Sequence, residues 1–352
     1  MKEMTSRERV LAALTGDGPD RVPYMELYID ENFAHRALGL PHVAEPSVMS
    51  GEQDVTVAYF GGSSYAPLDL ARTIHLDGLM MSVQPRIYFK LAVTDGQKFV
   101  VDGLIHRRED MSIIHLPDPD DERIYKPARE FLKKHRSSGL AIGCFINLGS
   151  DPVILSMGWE HFSYALYDDP ELLHQLFSIY SGWTARALKH ICKLGFDFIW
   201  AGDDIAFKSG PMISPRVFRQ FFLPYYRQVA EAISLPWIFH TDGNFLPLLD
   251  DLLSLGMNAL HPLEPDAVEI GDVKRRVGGR TGLVGNIDIY ALEQATPEEI
   301  IELTRKTIET AAPGGRYILS SSNSLTRACR VENVMAMVQA RNLYGVYPLG
   351  IK

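Results

Sequence analysis

The feature that most constrains this chain is a recurring unit: a short apolar run, a polar loop, then an amphipathic helical stretch. Apolar runs at 22–29, 74–81, 140–146, 196–201, 237–240, 259–263, 281–289 and 316–320 read as strands, each with helical sequence after it. Such regular alternation calls for parallel strands with helices packed outside them. Eight units predict an α/β fold of the (β/α)8 TIM-barrel type, spanning 1–352 as one domain. The helix starts agree. Thr5 with Glu8 matches a capping box, Thr296-Pro297-Glu298-Glu299 caps another helix, and Ser214-Pro215 supplies an N-cap and a proline at the first helical position. Residues 86–116 break the pattern. Their β-rich sequence around Thr94-Asp95-Gly96 predicts an antiparallel hairpin inserted to cover or flank the barrel mouth. An open doubly wound sheet is the alternative, disfavoured because no Gly-x-Gly-x-x-Gly follows the first strand.

Composition excludes several classes. Hydrophobic residues at 46% suffice for a large core, and a net charge of −9 argues against a nucleic-acid partner. No run of 18 apolar residues occurs, so no membrane span is expected, and the charged start lacks the apolar segment of a secretory signal. Cys144, Cys192 and Cys329 are isolated, which fits reduced thiols and a cytoplasmic location. Homo-oligomerisation stays open.

A barrel of this kind places its chemistry at the C-terminal strand ends. The polar residues read there are Glu26, Tyr28, Asp77, Asn147, Asp203, Asp204, His240, Asp242, His261, Glu264, Asn286, Asp288 and 320–323. Carboxylates and histidines without lysine suit metal binding or acid–base work better than Schiff-base chemistry. His240 and Asp242, two residues apart, share one face of an extended chain. The expected catalytic residues are Asp77, Asp203, Asp204 and His240, and the expected metal ligands His240, Asp242 and Glu264. Glu26, Tyr28, Asn147, Asn286, Asp288, Ser321, Ser322 and Asn323 are expected to line a small-molecule substrate. Each has a plainer reading: Asp203 and Asp204 as caps of a backbone turn, Asn286 and Asp288 as helix caps, Asp77 as a buried cap. His261, one pleat from the face of its strand end, is expected to pack outward or cap.

Several ordered motifs carry a family resemblance. Residues 214–225 (SPRVFRQFFLPY), His240-Thr241-Asp242-Gly243, Gly285-Asn286-Ile287-Asp288, Thr296-Pro297-Glu298-Glu299, residues 313–320 (PGGRYILS) and Val331-Glu332-Asn333-Val334 resemble the uroporphyrinogen decarboxylase and corrinoid methyltransferase superfamily, whose members are (β/α)8 barrels. The resemblance covers nearly the whole chain. The decarboxylase's arginine-rich first-strand loop is replaced here by 23–30, which has no arginine and two carboxylates, and its last-loop histidine is absent from 320–323. Asp77 does match the position of the family's catalytic aspartate. In the methyltransferase branch the resemblance implies zinc held by His-x-Cys and a distant Cys. His240 matches the histidine, Asp242 replaces the first cysteine, and 320–322 are serines. A harder set of His240 with Asp242, Glu264 or Asp203 is chemically reasonable for zinc.

The resemblance therefore implies an enzyme moving a methyl group from a small O- or N-methylated substrate to a corrinoid carried by a partner protein. The alternatives are a decarboxylase or lyase using Asp77 and His240 as proton donors, and a barrel that binds a ligand without turnover.

Overall fold

The structure is a computed structural model that describes residues 3–44, 51–59, 62, 64–94 and 97–350. Seven strands run parallel in chain order: Gly78–Pro85, Ala141–Ile146, Phe198–Gly202, Trp237–His240, Ala259–His261, Gly282–Ile287 and Tyr317–Ser321. The segment 22–29 takes the eighth place without being a continuous strand. Met25 N–H donates to the Leu319 carbonyl (3.0 Å), Leu319 N–H to Pro23 (2.9 Å), and Asp77 N–H to Tyr24 (2.8 Å), so the segment bridges the last strand and the first and closes the barrel.

Side-chain alternation divides each strand between two cores. Met25, Leu27, Met80, Phe145, Phe198, Trp200, Ile238, Ala259, Val284 and Ile318 fill the lumen, and Val10, Ala13 and Leu14 of the opening helix Ser6–Thr15 plug its N-terminal end. Their neighbours, among them Leu79, Ile199, Phe239 and Leu260, pack outward beneath the helices. The predicted helix starts are present. Thr5 and Thr296 form capping boxes, each worth about 1 kcal/mol to its helix. Ser214 caps a helix over Pro215–Val217 that continues through a π turn at Phe218–Phe222 into Leu223–Ala230.

Two strand boundaries and one added strand differ from the sequence reading. The strand expected at 74–81 lies at Gly78–Pro85, because Ile74 and Leu76 pack in the outer core as the chain leaves the helix Pro67–Thr73. That slip moves Asp77 from the C-terminal to the N-terminal end of its strand. The strand expected at 259–263 ends at His261. A strand not anticipated, Val55–Tyr59, runs antiparallel to Gly78–Pro85; the β-branched Val55-Thr56-Val57 was its signal. The hairpin pairs Phe89–Thr94 with Gln97–Gly103, and its expected Asp95-Gly96 turn lies outside the described residues. No helix among the described residues is long and apolar enough to cross a membrane.

Candidate metal centre at the barrel mouth

His240 and His261 end adjacent strands and sit directly opposite each other in the ladder, both on the lumen side. Their Nδ1 atoms lie 2.7 Å apart, so one nitrogen donates to the other. This corrects the expectation that His261 faces outward. Ala259 lies in the lumen core, and two residues later the side chain returns to that face. His261 is fully buried, its ring edge-on to Trp200 at 4.8 Å. Burial, reinforced by the neighbouring His240 charge, holds its imidazole well below the usual range, so it is neutral.

The opposite edge of His240 meets two carboxylates. Nε2 lies 3.6 Å from Asp204 Oδ1 and 3.6 Å from Asp242 Oδ1, and one donor atom from each of the three residues fits within 4.8 Å of the others. Burial disfavours the imidazolium, but Asp204, Asp242 and Glu264 outweigh it and raise the His240 pKa. Burial likewise pushes Asp204 up, and the His240 imidazole more than reverses this, leaving it below the usual carboxylate range. At Asp242 burial prevails and the shift is upward. The loops fix the geometry: Asp242 N–H donates to Asp204 Oδ1 (3.1 Å) and Asn323 Nδ2 to Asp242 Oδ2 (2.6 Å). Asp242 Oδ1 is buried with no hydrogen-bond partner. A divalent cation fits this donor set: an imidazole nitrogen, two carboxylates, one orphaned acceptor, and a supporting partner on the ligand histidine's far nitrogen.

The remaining site residues divide between the mouth and the scaffold. Glu264, expected as a ligand, instead accepts the Gly243 N–H through Oε2 (2.7 Å) and stands outside the cluster, while Asp204 takes its place. Asp203 is a cap. It accepts Gly149 N–H (2.7 Å), Ser150 N–H (2.8 Å) and Asn147 Nδ2 (3.0 Å) at the start of the helix Ser150–Met157. Asn147 also donates to the Gly202 carbonyl (2.6 Å), Asn286 to that of Leu263 (2.7 Å), and Asp288 caps Ile289–Gln294. Ser322 Oγ accepts the Ile289 N–H (3.1 Å). Sequence reasoning missed Asp151, whose Oδ1 accepts the Asp204 N–H (2.9 Å) and so fixes the cluster's loop. Its place directly after the Gly149-Ser150 turn at a strand end was the available signal.

Asp77 is not at the mouth. It is buried at the opposite end of the barrel, accepting Arg9 Nη1, Arg341 Nη1 and the Tyr24 N–H, each at 2.8 Å. Glu26 is buried beside the last strand and accepts Ser321 N–H (3.0 Å), Ser321 Oγ (2.6 Å) and Ser320 Oγ (3.2 Å). Burial pushes its carboxyl up to about 7 despite the Ser321 and Ser320 donors. Tyr28 follows on the same segment, half-buried, its phenol also pushed up by burial to about 12.

Fold and site together define a (β/α)8 barrel with a carboxylate–histidine cluster at the C-terminal ends of its strands. The chain belongs to the uroporphyrinogen decarboxylase (URO-D) family, whose family model matches residues 108–344. Curated relatives include uroporphyrinogen decarboxylases of Coxiella burnetii, 28% identical over 50% of this chain and 48% of theirs, and of Methylococcus capsulatus, 27% identical over 66% and 67%. A methylated-thiol–coenzyme M methyltransferase of Methanosarcina mazei is 26% identical over 52% of this chain and 48% of its own. The chain spans about half the length of the first of these curated relatives. A solved methyltransferase from Methanosarcina mazei shares the fold, with a TM-score of 0.73, 19% identity and coverage of 97% and 99%. These relatives are enzymes of two kinds, decarboxylase and methyltransferase.

Proposed function

We propose that this chain binds a small O- or N-methylated substrate at the barrel mouth and passes its methyl group to a corrinoid on a partner protein. The observation that carries this reading is the Asp204–His240–Asp242 cluster, for which uroporphyrinogen decarboxylation has no need. Zinc is the proposed metal, held by His240 Nε2, Asp204 and Asp242; when bound it would polarise the substrate heteroatom and improve the leaving group. With Nδ1 hydrogen-bonded to His261, Nε2 is the His240 nitrogen facing Asp204 and Asp242, and it would ligate the metal after losing its own proton. Asn323 and Asp151 hold the two aspartates in place, and Asn286 with Ser322 pins the loops around them. The carboxylate and imidazole donor set is harder than a thiolate pair, so it favours oxygen or nitrogen donors over thiols.

The test begins with elemental analysis of protein purified without an affinity tag, wild type beside His240→Ala. About one zinc per chain, lost in the variant, is expected. Methyl transfer to a reduced corrinoid is then assayed over methoxylated and N-methylated substrates. Zinc-loaded protein inactive on the whole panel would overturn the reading. A carboxy-lyase is the second reading, favoured by Glu26, whose carboxyl, pushed up to about 7, keeps a protonated fraction near neutral pH that could donate. Asp77, expected to act with His240 as a proton donor in that reading, is at the opposite end of the barrel from the mouth. Carbon dioxide release independent of metal would select it.

A further inference from the structure

The N-terminal face of the barrel, opposite the mouth, holds a cavity of about 250 Å³ whose lining includes Arg21, Arg72, His75, Arg341, Ser6 and Ser138. Its lining carboxylate is Asp77, already bonded to both Arg341 and Arg9, the latter from outside the lining. Three lining arginines therefore face one neutralised carboxylate. Arg21 and Arg72 make no side-chain hydrogen bond or ion pair among the described residues, although the Asp20 carboxylate, bonded to Arg9, lies near enough to Arg21 to feel its charge.

Two further observations describe the recess. Arg341 is 2% exposed, and its Nε has no hydrogen-bond partner; the Nε of Arg21 is also buried and unpartnered. A buried donor left unpaired costs about 1–3 kcal/mol, more when it belongs to a charged group. Arg341 is ion-paired with Asp77, but Arg21 and Arg72 are not ion-paired among the described residues, so in a chain of net charge −9 the recess keeps an excess of guanidinium charge that an anion would balance. Second, His75 lines the same cavity with φ of 57°, a left-handed conformation unfavourable for a residue with a Cβ. Its carbonyl is turned toward Arg341 Nη1 at 3.5 Å.

We infer that Arg21, Arg72 and Arg341 form an oxyanion site that takes phosphate or a phosphate monoester, separate from the mouth. Guanidinium forks suit tetrahedral oxyanions, each offering parallel N–H donors. Ser6 and Ser138 contribute hydroxyls at the rim. The site lies at the opposite end of the barrel from the Asp204–His240–Asp242 cluster, so its occupancy is separate from that of the mouth.

The probe is inorganic phosphate, titrated into the full chain at ionic strength held constant with sodium chloride, by calorimetry and thermal unfolding. One site per chain and a saturable rise in Tm are expected. At ten times Kd, binding to the native state multiplies the folding constant about 11-fold. Arg72→Ala, a surface change, is expected to weaken binding at least about tenfold, and Arg21→Gln similarly, with the uncomplexed Tm of Arg72→Ala unchanged. His240→Ala keeps full phosphate binding, since the mouth is not involved. Equal titrations for wild type and Arg72→Ala, or loss of binding in His240→Ala, would overturn the inference, as would a Tm rise that sodium chloride alone reproduces.

Discussion

His240 Nδ1 lies 2.7 Å from His261 Nδ1, and between them only one proton fits. His261 is held neutral while Asp204, Asp242 and Glu264 favour the protonated His240, an arrangement in which His240 donates to His261 and its other nitrogen faces Asp204 and Asp242. A fully buried lumen histidine thus bears on which nitrogen of its neighbour is available.

Replacing His261 tests this. His261→Leu removes the acceptor and leaves the fold of the strand intact, so zinc affinity is expected to fall about 10–100-fold while stoichiometry at saturation stays at one. Competition with a zinc chelator measures it. An affinity equal to wild type would show that the histidine pair is packing alone.

Ligand identity is tested by comparing three carboxylates. Asp204→Asn and Asp242→Asn are expected to lose more than the roughly 100-fold upper range for a supporting partner. Glu264→Gln, whose oxygen caps the Gly243 N–H, is expected to lose less than that. The same chelator competition applies. Equal losses at all three positions would return Glu264 to the ligand set.

Glu26 gives a pH signature. Its folded-state pKa of about 7 exceeds the unfolded 4.5, so between these values the native state holds a proton that the unfolded state has lost. Stability from this group is complete below about pH 4.5, falls as pH rises toward 7, and is then constant at a deficit of about 3 kcal/mol. Glu26→Gln removes the deficit: the variant is expected to match wild type near pH 4.5 and to exceed it at pH 8. Urea unfolding at the two pH values checks the sign, and parallel curves would refute it.

Asp77→Asn separates structure from chemistry at the barrel's N-terminal end. It takes the charge from a carboxylate 3% exposed that bonds two arginines 3–4% exposed, and is expected to cost about 3 kcal/mol. Zinc content is expected to remain at one per chain. Loss of zinc without loss of stability would restore Asp77 to the site.

The chain's local patterns specified the barrel, the hairpin near 86–116 and the helix caps, because each depends on residues a few positions apart. Thr5 finds Glu8, and Ser214 finds the Val217 N–H, whatever the remainder of the chain does. Period-two alternation also put His240 and Asp242 on one face. What sequence did not decide was where each strand begins. A slip of four residues carried Asp77 from mouth to floor, where Arg9 and Arg341, 68 and 264 positions away, captured it. Likewise a backbone N–H took Glu264 from the metal and a cross-strand register brought His261 to His240. Those outcomes rest on long-range register and on competition for hydrogen-bond partners, which only the closed barrel brings together.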